Sequence, residues 1–161
     1  PVPGHYPTIS RDYEYVRHGK LSLLAGIDLL TGAVHHKIFE HRRSAEFVEF
    51  LKYTDPMYPP EIKIVMILDN LKVHTSQETQ KYLKTVPQRF QFVFTPKHAS
   101  WLNIIESLFN KMTRSLLRGM RVSSIEELYE RINFYSDEMN KMPVIFKWKY
   151  KMDEVVGGIE V

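Results

Sequence analysis

Short segments rich in hydrophobic residues are separated by turn residues along the chain, a pattern that predicts β-strands. The runs Leu21–Ile27 and Ala33–Phe39 flank the turn segment Asp28–Gly32, so we expect them to pair as a hairpin. Two later runs, Ile64–Leu68 and Phe90–Phe94, predict two further strands. The first of these is entirely apolar, which is typical of a central strand that is buried on both faces of a sheet.

Between and after these strands, apolar residues recur at helical spacing and predict four helices. The first predicted helix begins at the capping residue Ser44 and ends at the prolines at 56, 59 and 60, and the second begins at the capping box Thr75–Glu78 and ends at about Lys84. The third extends from Trp101 to about Leu117, and the fourth begins at the capping residues Ser123–Ser124. This order of strands and helices predicts a single α/β domain over residues 1–161, with helices covering the sheet.

The composition excludes several classes of protein. With no cysteine among its 161 residues, the chain has neither disulfides nor thiolate metal sites, which fits a reducing cytoplasmic compartment. No apolar stretch approaches the roughly 18 residues that a membrane-spanning helix needs, so we expect no membrane association. The 22 Lys and Arg residues exceed the 19 Asp and Glu residues by only three, so charge alone supports nucleic-acid binding weakly.

Two acidic residues carry the strongest chemical signal. Asp69 follows the run Ile64–Leu68 and is expected at the C-terminal tip of a buried strand, where α/β sheets bind ligands. Glu106 lies one turn into the third predicted helix, at the margin of its apolar stripe. Carboxylates in apolar surroundings are costly unless a cation lies between them, and Mg²⁺ prefers oxygen ligands. The alternatives are that Asp69 merely starts a turn and that Glu106 is an ordinary solvated residue.

Other polar residues near these carboxylates are candidates for supporting the metal ligands or for binding DNA. The supporting candidates are Asn70, His74, Asn103 and Asn110. The candidate DNA contacts form two groups. Two cations and an indole lie at the start of the third helix, namely Lys97, His98 and Trp101, and a cationic stripe along that helix consists of Lys111, Arg114 and Arg118. A packed histidine and a solvated cationic face are the alternatives for His74 and for the stripe.

Two sequence blocks resemble DDE transposases, and the closest group is the insertion-sequence branch of the mariner-like superfamily. The first block is Ile67–Leu71 followed by His74, and the second is Phe94–Asn103 followed by Glu106. The second block, with its Ser-Trp-Leu-Asn string ahead of Glu106, is the more specific of the two. The resemblance covers nearly the whole chain.

This resemblance implies a ribonuclease-H-like fold, with a mixed sheet flanked by helices, and Mg²⁺- or Mn²⁺-dependent DNA strand cleavage and transfer for cut-and-paste transposition. In that family two Asp and one Glu hold two metal ions; Asp69 matches the second acid and Glu106 the third. The resemblance also implies transposon ends and target DNA as partners, a homodimer assembled on DNA, and a cytoplasmic, nucleoid-associated location.

The family's first Asp lies on the central strand of the sheet, upstream of the segment that Tyr13–Gly19 matches, and the chain starts too late to include it. We therefore expect a truncated catalytic domain that is inactive alone and lacks the family's helix-turn-helix region. Asp28 is a poor substitute, because its hairpin turn is expected at the opposite end of the sheet from Asp69. Two other functions remain open: a non-catalytic DNA-binding or association remnant of a transposable element, and a general ribonuclease-H-type nuclease.

Overall fold

The structure is a computed structural model, and it describes residues 20–95, 103–117 and 122–145. Short strands alternate with helices along the chain. The elements are β1 (Ser22–Ile27), β2 (Val34–Phe39), α1 (Ser44–Thr54), a 3₁₀ turn (Asp55–Met57), β3 (Ile64–Leu68), α2 (Gln77–Thr85), β4 (Phe90–Phe94), α3 (Asn103–Leu117) and α4 (Ile125–Lys141). The four predicted strands are therefore confirmed, each to within one residue at either end.

Strands β1 and β2 pair over their full length as an antiparallel hairpin. In the turn between them, the backbone N–H of Asp28 donates to the carbonyl oxygen of Ala33 at 2.8 Å. Gly32 has a φ of 76°, and a Cβ placed there would lie only 2.5 Å from the carbonyl oxygen of Val144. Glycine is needed at this position because it tolerates positive φ and leaves room for the neighbouring backbone.

Strands β3 and β4 pair in parallel, with Leu68 opposite Phe94, so both strands end at the same edge. Helix α2 lies in the connection between them, as a parallel pair requires. The hydroxyl of Ser76 caps this helix by accepting a hydrogen bond from the N–H of Thr79 at 3.2 Å. The parallel pairing brings the residues that follow β3 and β4 into the same region.

Two of the predicted helix caps were wrong. The N-cap of α1 is Arg43, whose backbone N–H donates to the carboxylate of Glu46 at 2.9 Å, and Ser44 is the first helical residue. Because a carboxylate at the third helical position satisfies this N–H, the helix does not need the serine hydroxyl. The N-cap of α2 is Ser76, one position later than the predicted box Thr75–Glu78, because the Ser76 hydroxyl is the group that reaches the first turn.

Helix α1 joins the two strand pairs into one core. Its apolar side is buried, and Leu51 is fully enclosed. Phe50 lies over Gly26 of β1, where an added Cβ would be 4.0 Å from the end of the phenyl ring. One turn earlier, the ring of Phe47 packs against Phe92 of β4, with 6.0 Å between the centroids. Because one helix contacts both pairs, they share a hydrophobic core.

Helices α3 and α4 lie on another face of the hairpin. A small cavity there is lined by Leu23 and Ala25 of β1, by Leu108 and Met112 of α3, and by Tyr135 of α4, among others. Leu23 and Ala25 alternate with Gly26 along β1, so their side chains point away from α1. The hairpin is therefore covered on both faces by helices, as predicted.

The outer edge of β2 is closed by a side chain of α4. Oδ1 of Asn140 accepts from the backbone N–H of Val34 at 2.8 Å, and its Nδ2 donates to the carbonyl oxygen of the same residue at 2.9 Å. The amide side chain thus takes the place of a neighbouring strand and satisfies an exposed strand edge. At the start of the same helix, the Ser124 hydroxyl accepts from the N–H of Glu127 at 3.1 Å, which confirms the predicted cap.

Within the described residues the strands occur as two separate pairs, β1–β2 and β3–β4, and β1 and β3 each pair along one edge only. None of the described helices is both long and apolar enough to cross a membrane.

Candidate active site

The carboxyl ends of β3 and β4 form a polar edge. Asp69 follows Leu68 directly, and Thr95 follows Phe94. The N–H of Thr95 donates to the carbonyl oxygen of Leu68 at 2.9 Å, which extends the strand pairing by one step. Asn70 adds a second link, because its Nδ2 donates to the carbonyl oxygen of Thr95 at 2.7 Å. The residues on both sides of Asp69 are therefore hydrogen-bonded to Thr95, through the backbone of Leu68 and the side chain of Asn70.

The two oxygens of the Asp69 carboxylate have different surroundings. Oδ1 is buried and has no hydrogen-bond partner in the described part of the chain. The side chain as a whole is 42% exposed, so its accessible area lies on the other atoms, which include Oδ2. Leaving a buried acceptor unpaired typically costs about 1–3 kcal/mol, and a catalytic role or a bound ion is a common reason for such a group.

His74 is the side chain nearest to this unpaired oxygen. Its Nδ1 lies 2.8 Å from the carbonyl oxygen of Asp69 and 3.3 Å from Oδ1 of the same residue. The shorter contact meets the criteria for a hydrogen bond, whereas the longer one is only an ion-pair distance. His74 as a whole is 7% exposed, and its ring packs against Phe47, with 4.6 Å between the centroids. His74 is thus a packed residue, which was the alternative to a functional role, and it also contacts the candidate catalytic residue Asp69.

Glu106 occupies the first turn of α3 and is exposed. No hydrogen bond or ion pair joins it to Asp69 or to any other residue that the structure describes. The packing of α3 explains its exposure, because Leu108 is buried and turns toward the hairpin while Glu106 lies on a different side of the helix. Whether Glu106 and Asp69 hold a common ion stays a prediction.

The other predicted site residues divide between α3 and segments outside the described ranges. Asn110, Lys111 and Arg114 are exposed on α3, and Nε of Arg114 donates to the carbonyl oxygen of Asn110 at 3.2 Å. Asn103 is the first residue of this helix. The predictions for Lys97, His98, Trp101 and Arg118 lie outside the described residues.

A second polar cluster at the opposite end of the fold was not predicted from the sequence. Oδ1 of Asp28 accepts from the backbone N–H groups of Leu30 at 2.8 Å and Thr31 at 3.2 Å. Its Oδ2 accepts from the hydroxyl of Tyr58 at 3.2 Å, and this hydroxyl also lies 3.0 Å from Nε2 of His35. The sequence indicates only that Asp28 belongs to a turn. Tyr58 is 23 positions from His35 and 30 from Asp28, so no local sequence pattern indicates that the three side chains meet.

The pKa values in this second cluster are shifted in the directions that its contacts require. Burial raises the pKa of Tyr58 to about 12, and the neighbouring Asp28 charge adds to the effect. Burial lowers the pKa of His35. For Asp28, burial acts to raise the pKa, but hydrogen bonds from the two turn N–H groups outweigh it and the pKa is lowered. The cluster therefore favours an ionised Asp28 beside a neutral Tyr58.

Arg89 anchors the segment that carries Tyr58. Its guanidinium donates to the Asp55 carboxylate at 2.6 Å and to the carbonyl oxygens of Asp55, Tyr58 and Pro59 at 2.6–2.8 Å, and it also contacts that of Ile62. Because Arg89 precedes β4, this cluster lies at the amino end of the parallel pair. Asp69 lies at the carboxyl end, so these contacts agree with the expectation that Asp28 would be remote from it.

The donor atoms at the carboxyl end of β3 suit a hard divalent cation in part. A carboxylate oxygen is the ligand type that Mg²⁺ and Mn²⁺ prefer, and Mg²⁺ often uses only one or two protein carboxylates. Asp69 fits as one such ligand through the accessible side of its carboxyl group, while its Oδ1 is buried beside Nδ1 of His74. Within the described ranges, however, no three His, Asp or Glu residues are grouped so that they could hold an ion.

Comparison with protein families identifies the chain. Residues 7–129 match the family of DDE superfamily endonucleases, which is well over half of the sequence. The chain belongs to this family. Both Asp69 and Glu106 lie within the matched region, as do the parallel strands β3 and β4 and the polar edge at their carboxyl ends.

Two further similarities agree with this membership. The chain is 28% identical over 102 residues to the insertion element IS630 uncharacterized 39 kDa protein of Shigella sonnei, which covers 63% of this chain but only 29% of that protein. It also resembles a chain in the cryo-EM structure of the simian T-cell lymphotropic virus intasome in complex with PP2A regulatory subunit B56 gamma. That match has a TM-score of 0.56 at 12% identity and covers 83% of this chain and 47% of the other. The predicted ribonuclease-H-like α/β fold is thereby confirmed.

Proposed function

We propose that this chain is the catalytic domain of a DNA transposase of the insertion-sequence branch, which cleaves DNA strands and transfers them with the help of divalent metal ions. Membership of the DDE endonuclease family and similarity to an insertion-element protein support the proposal. Because the chain corresponds to less than a third of that relative's length, the activity of the whole protein is part of the proposal.

One observation carries the assignment of the site. Asp69 lies at the carboxyl end of a parallel strand, the residues on both sides of it are hydrogen-bonded to Thr95, and its carboxyl group has one buried oxygen and an accessible side. Ligands of open α/β sheets bind at this end of the strands. The family match then supports Asp69 as the second acid of the active site and Glu106 as the third.

In this proposal each residue has a distinct role. Asp69 and Glu106 hold Mg²⁺ or Mn²⁺, with two ions expected in the intact enzyme, while Asn70 and His74 keep the Asp69 segment in place. A bound divalent ion supplies charge stabilisation at the phosphate and lowers the pKa of an attacking water. Asn103 and Asn110, near Glu106 on α3, are the proposed supporting residues on that helix.

The remaining acid of the metal site is proposed to come from an upstream strand. The family pattern has its first Asp ahead of the segment that matches Tyr13–Gly19. Within the described residues, β1 and β3 each have one unpaired edge, which is compatible with an additional strand beside them. Asp69 and Glu106 would then form a metal site together with an acid from that strand.

The proposed partners follow from the family. Transposon ends and target DNA are the expected substrates, and cations on and ahead of α3 would contact phosphates: Lys97, His98, Lys111, Arg114 and Arg118. Trp101 is proposed to stack on a base. We further propose a homodimer assembled on DNA and a cytoplasmic, nucleoid-associated location.

The test is a nicking assay with a version of the protein that is extended at its amino end by the upstream reading frame. We expect Mg²⁺- or Mn²⁺-dependent nicking of plasmid DNA that is lost in both Asp69→Ala and Glu106→Ala, with unchanged thermal unfolding. Retained nicking in either variant would refute the site assignment. DNA binding without any nicking would favour the non-catalytic remnant, and cleavage of RNA–DNA hybrids would favour a general nuclease.

A further inference from the structure

The segment that leads from β3 to α2 folds back on the residue at its start. Besides the contact between Nδ1 of His74 and the carbonyl oxygen of Asp69 at 2.8 Å, the N–H of His74 donates to the carbonyl oxygen of Leu71 at 3.0 Å. A little farther on, the hydroxyl of Thr79 donates to the carbonyl oxygen of Val73 at 2.7 Å. Three hydrogen bonds therefore hold this turn together, and the imidazole of His74 makes one of them.

The contact with the carbonyl oxygen of Asp69 selects one tautomer of the neutral His74 ring. A carbonyl oxygen only accepts hydrogen bonds, so Nδ1 of His74 has to carry the hydrogen. In the neutral ring Nε2 then has no hydrogen. The tautomer is assigned by the hydrogen-bond partner, and it can be measured directly in solution.

Packing holds the imidazole in this orientation. His74 is 7% exposed, and its ring lies against Phe47, which is itself 3% exposed. Phe47 in turn packs against Phe92 of β4. A rotation of the His74 ring would therefore have to displace two core aromatic residues, which close packing resists.

The same nitrogen lies on the buried side of the Asp69 carboxylate. Oδ1 is 3.3 Å from Nδ1 and is inaccessible, whereas the side chain as a whole is 42% exposed. The polar hydrogen on Nδ1 attracts Oδ1 electrostatically even though it points at the carbonyl oxygen. This leaves Oδ2 as the carboxylate oxygen that faces outward.

We infer that His74 is a positioning residue that turns Oδ1 of Asp69 inward through its Nδ1–H, so that Asp69 offers a divalent ion one oxygen, Oδ2. The inference rests on the proposed function, in which Asp69 is a metal ligand. It assigns His74 a role through Asp69 and not a direct contact with metal or DNA. Residues that orient metal ligands by hydrogen bonds commonly influence metal affinity.

Three substitutions of His74 separate this role from packing. His74→Asn places an amide N–H near the position of Nδ1, His74→Gln places it near Nε2, and His74→Phe keeps an aromatic ring without a donor. In the amino-terminally extended protein, we expect His74→Asn to keep the Mn²⁺ affinity of the unsubstituted protein to within about threefold, while His74→Gln and His74→Phe weaken it about 10-fold or more. Isothermal titration with Mn²⁺, together with thermal unfolding of each variant, measures both effects.

A second measurement needs no substitution. Long-range ¹H–¹⁵N NMR correlations of the full 161-residue chain distinguish the two neutral tautomers of each of its seven histidines. We expect the Nδ1–H form for His74 at neutral pH. The Nε2–H form would overturn the inference, even if the His74 variants failed to fold.

The outcomes distinguish this inference from the proposed function. If Asp69→Asn abolishes Mn²⁺ binding but a folded His74→Phe binds Mn²⁺ like the unsubstituted chain, His74 does not position the ligand and the proposed function stands. If Asp69→Asn leaves Mn²⁺ binding unchanged, Asp69 is not a metal ligand and both claims fail. Rescue by His74→Asn alone among the three variants supports the inference, because a purely structural role would not depend on where the donor lies.

Discussion

Asp28 and Asp69 both follow a β-strand, and each lies near a histidine, yet their carboxylate oxygens differ in hydrogen bonding. Both oxygens of Asp28 accept hydrogen bonds, from two turn N–H groups and from Tyr58. Asp69 has a buried Oδ1 without a hydrogen bond in the described part of the chain. The two sites lie at opposite ends of the parallel pair and of α1, whose 11 residues span about 16 Å.

The difference indicates which carboxylate stabilises the fold and which is available for chemistry. A carboxylate whose oxygens are all paired within the protein has little capacity left for a ligand, and its contacts contribute to folding stability. A carboxylate that is held by its backbone but left with an unpaired oxygen costs stability, which proteins tolerate chiefly at functional sites. Sequence context alone does not separate the two, because both residues follow apolar strands.

The largest expected effect concerns activity. In the amino-terminally extended protein, Asp69→Asn should reduce Mn²⁺-dependent nicking about 10³-fold or more, because a lost metal ligand removes several kcal/mol of transition-state stabilisation. Asp28→Asn is the matched control and should keep nicking to within a few-fold when both variants are assayed below their unfolding temperatures. Equal losses in the two variants would mean that the contrast between the two carboxylates has no functional meaning.

A second prediction tests how firmly the Asp28 end is anchored. Arg89→Ala removes the guanidinium that holds the Asp55 carboxylate and four carbonyl oxygens of the segment 55–62, so it should lower the free energy of unfolding by at least about 3 kcal/mol. Arg89→Lys keeps the charge but cannot bridge several acceptors in one plane, so most of the loss should persist. Chemical denaturation measures both; a change below 1 kcal/mol for Arg89→Ala, roughly the size of an exposed ion pair, would contradict the account.

Stability should also respond differently to the two aspartates. Asp28→Ala leaves the turn N–H groups and the Tyr58 hydroxyl without their acceptor, so it should cost about 1–3 kcal/mol. Asp69→Asn should cost nothing or increase stability slightly, because it removes the charge from a carboxyl group with an unpaired buried oxygen. Urea unfolding of the two variants at neutral pH makes the comparison; the reverse order of stabilities would break it.

The smallest effect is a pH dependence at the Asp28 end. The pKa of Tyr58 is raised from its ordinary value of 10 to about 12, so the folded state holds this proton more tightly than the unfolded state does. Its contribution to stability is therefore complete below pH 10 and is lost as the pH rises toward about 12. Tyr58→Phe should show a shallower decline in the free energy of unfolding across that range; identical slopes would contradict the assigned shift.

Much of the fold could be predicted because it depends on local patterns. The four strands follow from short segments rich in apolar residues between turn residues, and Ser124 caps α4 as its sequence indicates. The caps of α1 and α2 were wrong because several residues near each start can satisfy the same N–H groups, and only the backbone geometry selects among them. The link between Asn140 and Val34 could not be predicted, since it joins residues 106 positions apart.

The candidate site was predictable to a similar degree. The apolar strand ending in Asp69 points to a ligand site on general grounds, and the family blocks point to Glu106. The roles of Thr95 and Phe47 were missed, because a carbonyl oxygen and a core ring carry no sequence signal for the residues they contact. The cluster of Asp28, His35 and Tyr58 was missed for the same reason, since its members meet only in the folded chain.

The central claim is that Asp69 and Glu106 bind a common divalent ion, and anomalous diffraction from Mn²⁺-soaked crystals of the amino-terminally extended protein tests it most directly. The account predicts an anomalous peak in contact with Oδ2 of Asp69 and with the Glu106 carboxylate. A Mn²⁺ ion bound to Asp69 with Glu106 turned away, or no ion at Asp69 at all, would contradict it.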